Sequence, residues 1–230
     1  FLARMSHELR TPLNEVLGFA QVQERVLRKK GSQREQETNQ HILDAGHKLL
    51  RIIEDILNYS QMDNADNGIT LETCDVDIAI LEAIQQVSES NKDSHIQINY
   101  SPTQIKAKSN LLKLMQVITH VISNAVKYNH KKGSVNIMCA IAPEGHIEIA
   151  IQDTGVGIEK EHWKDIFLPF TRLDYAESHQ IGGVGVGLSL ARSLMRKMHG
   201  EITISHSSPD GSLFIITLPR FEDLGISAQL

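Results

Sequence analysis

Apolar residues near the start of the chain, Met5, Leu9, Leu13, Val16 and Ala20, recur at intervals of four, four, three and four, the spacing of one buried stripe on an α-helix. After Leu27 a polar, basic stretch from Arg28 to Arg34 with Gly31 inside it ends the run and predicts a turn. A second stripe then passes through Ile42, Ala45, Leu49, Ile52 or Ile53, Ile56 and Leu57 and lasts to about Met62. Two such helices make a hairpin, and neither stripe can be fully covered by the other. Pairing two hairpins into a four-helix bundle covers both, so the pattern predicts a two-fold homodimer; the alternative is a monomeric hairpin covered by another part of the chain.

His7 lies off the first stripe, beside Glu8, with Thr11 and Pro12 on the following turn. An imidazole with a pKa near ~6.5 is largely neutral at cell pH and is a nucleophile without special activation. Glu8 can accept or orient its proton. Pro12 removes one helical hydrogen bond and predicts a bend just past the histidine. Taken alone, a histidine on a helix surface is nearly always a solvated polar residue. The whole string changes that weighting: Phe1, Met5-Ser-His-Glu-Leu-Arg-Thr-Pro-Leu-Asn14 and Leu17-Gly-Phe19 closely resemble the phosphoacceptor box of sensor histidine kinases.

With 230 residues, the chain exceeds the ~100–150 of a common single domain. Met62-Asp-Asn-Ala-Asp-Asn-Gly68 is rich in turn residues and breaks the helical period. The expected division is a helical hairpin over 1–64, a linker over 65–72, a second domain over 73–220 and a tail over 221–230. In the second part a strand is expected around Ile69 to Cys74 and a helix from about Asp77 to Ser90 with Asp77 as its cap. Strands at Ile96–Tyr100 and Gln104–Lys108 and a helix over Asn110–Lys127 follow. A hairpin pairs Val135–Ala142 with Ile147–Gln152. After a glycine-rich stretch come a helix at Leu188–Met198 and a last hairpin, Glu201–His206 and Ser212–Leu218, around Pro209-Asp-Gly211. Hairpins and helices without strict βαβ alternation predict an α+β sandwich with helices on one face of a mixed sheet.

Hydrophobic content of 41% with 22% charged residues fits a soluble globular protein. The net charge of −5 and pI near 6.1 argue against nucleic acid as a partner. No apolar run approaches the ~18–20 residues of a membrane span, and there is no signal peptide. The chain opens inside a helical motif, so a piece of a longer protein is expected. Cys74 and Cys139 form neither a metal spacing nor a disulfide framework, which fits a reducing, cytoplasmic setting, whether the full-length protein is soluble or anchored through a sensor region. The eleven histidines show no metal pattern with carboxylates.

Four short motifs carry the remaining chemistry. Asp153-Thr-Gly155-Val-Gly157 ends a strand; as plain structure it is a tight turn, and as a site it offers a fixed carboxylate for an exocyclic amine beside glycines that admit close approach. Gly182-Gly183-Val-Gly185-Val-Gly187-Leu188 opens a helix, where unhindered N–H groups meet phosphate, or serves as a hinge; it fits neither a Walker nor a Rossmann fingerprint. Asn124 and Lys127 share a helix face ahead of Tyr128, so an amide oxygen suited to Mg²⁺ and an ammonium suited to phosphate stand together, or else they are an ordinary surface pair. Phe167-Leu-Pro-Phe170-Thr-Arg172 reads as a hydrophobic loop anchor, with Arg172 able to reach a phosphate or a partner carboxylate.

In this order, with Met198-His-Gly-Glu-Ile202 after them, the motifs resemble the N, G1, F and G2 boxes of the histidine-kinase ATP-binding domain, a Bergerat-type fold shared with gyrase-, Hsp90- and MutL-type ATPases. With the histidine box, the resemblance spans essentially residues 1 to 220. It implies that His7 accepts the γ-phosphoryl of ATP, that Glu8 assists as base and that Thr11 helps place water for dephosphorylating a partner. It implies that Asn124 holds Mg²⁺, that Lys127 and Tyr128 line the nucleotide, and that Asp153 reads adenine beside Gly155 and Gly157. Phe170, Arg172, Gly183, Gly185, Gly187 and Leu188 complete the lid side. The pattern departs at His120, where the family usually has an earlier asparagine; imidazole is a poorer Mg²⁺ ligand than an amide oxygen. The implied function is an ATP-dependent protein-histidine kinase whose phosphohistidine donates to an aspartate on a response-regulator receiver, possessing also a phosphatase activity on that regulator. The implied partners are a second copy and that receiver, with no nucleic acid or membrane contact by this fragment. The competing class is a nucleotide-binding signalling scaffold that transfers little phosphate, and a gyrase- or Hsp90-type ATPase is disfavoured by the His7 string.

Overall fold

The structure, a computed structural model, describes residues 2–64, 69–91, 94–173 and 185–219; within the first helices the side chains of 2–11, 30, 44, 47, 48, 51, 52 and 54–64 lie outside that description. The chain divides into two compact units, one holding the helical hairpin and the other the sheet. Among the described residues no helix is long and apolar enough to cross a membrane.

The hairpin consists of α1 (Leu2–Lys30) and α2 (Gln33–Asn64), and α1 runs on through Pro12. Its connection is shorter than the expected basic turn, because both helix ends are satisfied within a few residues. The Gly31 N–H donates to the Leu27 carbonyl at 2.7 Å. Ser32 and Glu35 cap α2 reciprocally: the Ser32 N–H donates to Glu35 Oε2 at 2.8 Å and the Glu35 N–H to Ser32 Oγ at 3.4 Å. Gln36 Nε2 reaches back to the Leu27 carbonyl at 3.0 Å.

The seam of the hairpin takes only part of the expected stripes. Leu17, Ala20 and Leu43 form its buried cluster, with Leu13 and Leu50 packed against them. On α2 the seam continues through Asn39, Leu43, Gly46, Leu50 and Ile53, alternating four and three as in a coiled coil. Val16, Ile42 and Leu49, expected inside, are 52%, 43% and 47% exposed, and Ala45 is exposed with them. Apolar residues occupy two adjacent faces of each helix; the hairpin buries one and turns the other outward. Met5, Leu9, Ile52, Ile56, Leu57 and Met62 belong to side chains outside the description. Asn39, nearly sealed at 2% exposure, donates from Nδ2 to the Ala20 carbonyl at 3.0 Å, which fixes the register of the helices.

The second unit runs β1 (Glu72–Asp75), α3 (Val76–Ser90), β2 (Gln97–Tyr100), β3 (Lys106–Ser109), α4 (Leu111–Lys127), β4 (Ser134–Ile141), β5 (Ile147–Asp153), α5 (Gly187–Lys197), β6 (Glu201–Ser208) and β7 (Gly211–Leu218). Five strands form one sheet in the order β2-β4-β5-β7-β6, and β1 pairs with β3 apart from it. Only the β2–β4 pairing in the large sheet is parallel. This is the mixed sheet expected of an α+β domain. Strand alternation lines its inner face with rows such as Ile137, Ile151, Phe214 and Ile204, and Cys139, Ile149, Ile216 and Ile202. Helices α3, α4 and α5 bring Ile80, Ile118, Ile122, Leu190 and Met195 to the same core.

Asp77 is not the cap of α3. Asp75 is, accepting the Asp77 N–H at 2.9 Å. Asp77 instead accepts the N–H groups of Thr103 at 3.0 Å and Gln104 at 2.7 Å, and the Tyr100 hydroxyl. Gln104, at φ +60, turns the chain there, so β3 begins two residues later than expected. Burial would raise the Asp77 carboxyl, but the hydrogen bonds from Tyr100, Gln104 and Thr103 outweigh it and hold it below the usual carboxylate range. Its stabilisation is therefore present above that range and is lost as pH falls through the depressed value. Asp77→Asn should cost about 2 kcal/mol at neutral pH, and its deficit against the wild type should shrink below pH ~4, as read by denaturant unfolding across pH.

Candidate functional site

Period two along β5 decides the site. Ile147, Ile149 and Ile151 point into the core, so the next residue on that face is Asp153, paired across from Val135 and 8% exposed. Its Oδ1 accepts the Gly155 N–H at 2.8 Å and the Ser212 N–H at 3.2 Å. Burial pushes the carboxyl upward, and those two N–H groups partly offset it. Among the described residues all its hydrogen bonds fall on Oδ1, so Oδ2 is the oxygen left for a ligand.

The turn after Asp153 is clamped from two sides. Toward α4, the Val156 N–H donates to the Tyr128 carbonyl at 3.1 Å, and a Cβ on Gly155 would come 2.3 Å from that same oxygen. Toward the β6–β7 hairpin, the Ile158 N–H donates to Ser207 Oγ at 2.7 Å, and a Cβ on Gly157 would stand 1.8 Å from the Ser208 carbonyl. Gly157 also has φ +72. Both glycines are there because backbone passes where a side chain would be.

Sequence reasoning missed the residue that joins α4 to this turn. Asn129 donates from Nδ2 to the carbonyls of Ala125 at 3.0 Å and Ser134 at 3.1 Å, while its Oδ1 accepts the Thr154 hydroxyl at 3.0 Å. The same hydroxyl accepts the Ser134 N–H at 2.9 Å. The helix end, the start of β4 and the Asp153 turn are thus one polar network. Gly211, read as a hairpin turn only, also belongs here: at φ +134 its hypothetical Cβ would lie 2.0 Å from the Asp153 carbonyl.

On α4, Asn124 and His120 stand one turn apart on the same face. Asn124 is half-buried, and its amide makes no hydrogen bond among the described residues. His120 Nε2 is buried and likewise without a partner. Burial drives the His120 pKa down to about 4, so the ring is neutral near pH 7. The ring lies against Gly187, the first residue of α5: a Cβ there would be 3.2 Å from Nδ1. Lys127 Nζ sits 5.2 Å from the centre of the Tyr128 ring. Burial raises the Tyr128 hydroxyl, and the positive charge of Arg172 opposes it, which puts Arg172 within electrostatic reach of the end of α4.

The two aromatic residues of the Phe167–Phe170 motif part company. Phe167 is buried, with the Arg192 guanidinium 4.7 Å from its ring centre, whereas Phe170 is 55% exposed at φ +64. The anchor is therefore Phe167, held from α5. Arg192 in turn pairs with Glu201 Oε1 at 2.8 Å, and Arg196 pairs with Oε2 at 3.0 Å. Gly185 has φ +79 two residues before α5, and Leu188 is half-buried in its first turn. The structure brings Asp153, Gly155, Gly157, Tyr128 and, through His120 and Gly187, Asn124 and α5 into one unit. Gly183 and the side chains of His7, Glu8 and Thr11 lie outside the described residues, although His7, Glu8 and Thr11 have their backbone in α1.

Comparison with known proteins fits this geometry. Residues 1–65 match the family described as the His Kinase A (phospho-acceptor) domain, and residues 109–222 match the histidine kinase-, DNA gyrase B- and HSP90-like ATPase. The chain belongs to the sensor histidine kinases. The Non-motile and phage-resistance protein of Caulobacter vibrioides is 31% identical over 95% of this chain and 27% of its own length. The sensor histidine kinase GacS of Pseudomonas protegens is 30% identical over 97% of this chain and 25% of its own. The autoinducer 2 sensor kinase/phosphatase LuxQ of Vibrio parahaemolyticus is 29% identical over 95% of this chain and 26% of its own. This kinase core thus spans about a quarter of the length of the curated relatives it matches. Among solved structures, full-length ShkA in complex with AMPPNP superposes with a TM-score of 0.76 at 26% identity, covering 95% of this chain and 45% of that one. The histidine kinase AdeS of Acinetobacter baumannii, at 20% identity and a TM-score of 0.60 over 94% of this chain and 98% of its own, shares the fold.

The clamp around Asp153 predicts a sharp stability penalty. Gly157→Ala should destabilise the sheet unit of this kinase by about 3 kcal/mol or more, because a positive φ and a blocked Cβ act together. Urea unfolding followed by tryptophan fluorescence reads it through Trp163, whose Nε1 donates to the Ile158 carbonyl beside the turn at 3.0 Å.

Proposed function

We propose that this chain is the catalytic core of an ATP-dependent protein-histidine kinase: it transfers the γ-phosphoryl of ATP to His7 and passes it to an aspartate of a response-regulator receiver. The observation that carries the reading is a buried carboxylate, Asp153, with one oxygen that accepts no hydrogen bond among the described residues, on the same chain as the His7-Glu8 helix.

In this reading Asp153 Oδ2 accepts the exocyclic amine of adenine, and the close backbone at Gly155 and Gly157 lets the base lie against the turn. Lys127 and Arg172 balance phosphate charge at the end of α4, with Tyr128 beside them, and Phe170 lines the same rim. The N–H groups at the start of α5, from Gly187 and Leu188, carry the positive end of its dipole, and Gly183 and Gly185 of the glycine-rich string belong to the same nucleotide site. The unpartnered Asn124 amide suits Mg²⁺, a cation that takes oxygen donors and neutralises triphosphate charge when bound. At His7 the ring nitrogen without a proton attacks the γ-phosphorus as the bond to the bridging oxygen of ADP breaks, and the other ring nitrogen releases its proton to Glu8. Thr11 helps place water when the phosphorylated regulator is hydrolysed.

The hairpin is the dimer interface in this reading. Besides Val16, Ile42 and Leu49, the outward stripe carries Phe19, Val22 and Val26, 76%, 61% and 58% exposed, and a second hairpin is what covers such a face. ATP and His7 belong to different units, so the encounter between them across residues 63–68 is the step a sensor region would regulate.

Incubation with labelled Mg-ATP tests the proposal. Acid-labile, alkali-stable label should appear on the wild type and be absent from His7→Gln, which keeps nucleotide affinity. Asp153→Asn should weaken AMPPNP binding by about 10- to 100-fold, the worth of a hydrogen bond to a charged group. Nucleotide binding with no label on the wild type would favour the scaffold.

A further inference from the structure

Two polar groups on one face of α4 lack partners among the described residues, the half-buried Asn124 amide and the buried His120 Nε2. An unsatisfied buried imidazole nitrogen is destabilising, so its persistence calls for an occupant. A core histidine serving only to pack would turn that nitrogen toward a carbonyl or hydroxyl. The other side of the ring is blocked against Gly187, where a Cβ would come 3.2 Å from Nδ1, so the ring is wedged between α4 and the start of α5. In the tautomer protonated at Nδ1, a neutral imidazole held in this way presents a lone pair one helical turn from an amide oxygen. Nitrogen and oxygen together are a donor set for borderline transition-metal ions, whereas Mg²⁺ strongly prefers oxygen alone.

We propose that His120 Nε2 and Asn124 Oδ1 jointly ligate the divalent cation of the bound nucleotide, and that this mixed pair gives the kinase a preference for Mn²⁺ over Mg²⁺. The inference rests on the reading of Asn124 as the metal-binding residue of the ATP site. The ring also lies close against the glycine that opens α5, so the proposed cation, α4 and the first turn of α5 meet at one side chain.

The experiment is AMPPNP binding by calorimetry with Mg²⁺ or Mn²⁺, with pulsed EPR on the Mn²⁺ complex of the whole chain. The expected result is binding about 10-fold tighter with Mn²⁺ than with Mg²⁺, and a ¹⁴N coupling typical of an imidazole ligand. His120→Asn should remove that coupling and bring the two affinities to within about 2-fold of each other. A wild-type Mn²⁺–AMPPNP complex with no imidazole coupling, or a metal preference unchanged in His120→Asn, overturns the assignment and leaves the nucleotide site standing. Absence of AMPPNP binding with either cation overturns the ATP-site reading as well. The EPR measurement on the wild type needs no variant, so it decides the matter even if His120→Asn does not fold.

Discussion

The sheet unit depends on a buried carboxylate kept ready for use. Asp153 extends the apolar alternation of β5 by one step, into a place where an ionised group is costly unless its hydrogen bonds are met. Two backbone N–H groups meet one oxygen, from Gly155 two residues on in the chain and from Ser212 on the neighbouring strand β7. Each donor requires backbone to come closer than a side chain permits, and so glycines stand at 155, 157 and 211. The carboxylate and the three glycines are one device: the glycines set the approach distance, the N–H groups fix one oxygen, and the second oxygen stays free.

Much of this was legible in the sequence because it rests on local rules. Strand alternation and turn residues located every element of the large sheet within a residue or two, and the Asp153-Thr-Gly and glycine-rich strings marked the ends of strands and the start of a helix. What was not legible came from pairings distant in the chain. Asn129 looked like an ordinary residue after a helix, yet it ties Ala125, Ser134 and Thr154 together, and nothing short of the β4–β5 register discloses that. Asp77 was read as a cap because acidic residues favour first turns; its true partners lie on a loop more than twenty residues away. In the hairpin a period near 3.6 marks an apolar stripe but cannot tell which of its residues face the other helix, so Leu17 of the seam was not singled out.

Helix α5 shows how one element is both fixed and free. Its later turns are tied down: Arg192 stacks on Phe167 and bonds Glu201, and Arg196 bonds the same carboxylate. Burial alone would raise the Glu201 carboxyl, but the Arg192 side chain, the Ile202 N–H and Arg196 together hold it low. Its first residue is a glycine against the His120 ring, with another glycine at positive φ two residues before. A helix anchored in this way keeps its dipole aimed by contacts with Phe167 and Glu201. If the N–H groups at its start take phosphate, as in the proposed function, their direction is already set by Glu201 and Phe167 before the ligand arrives.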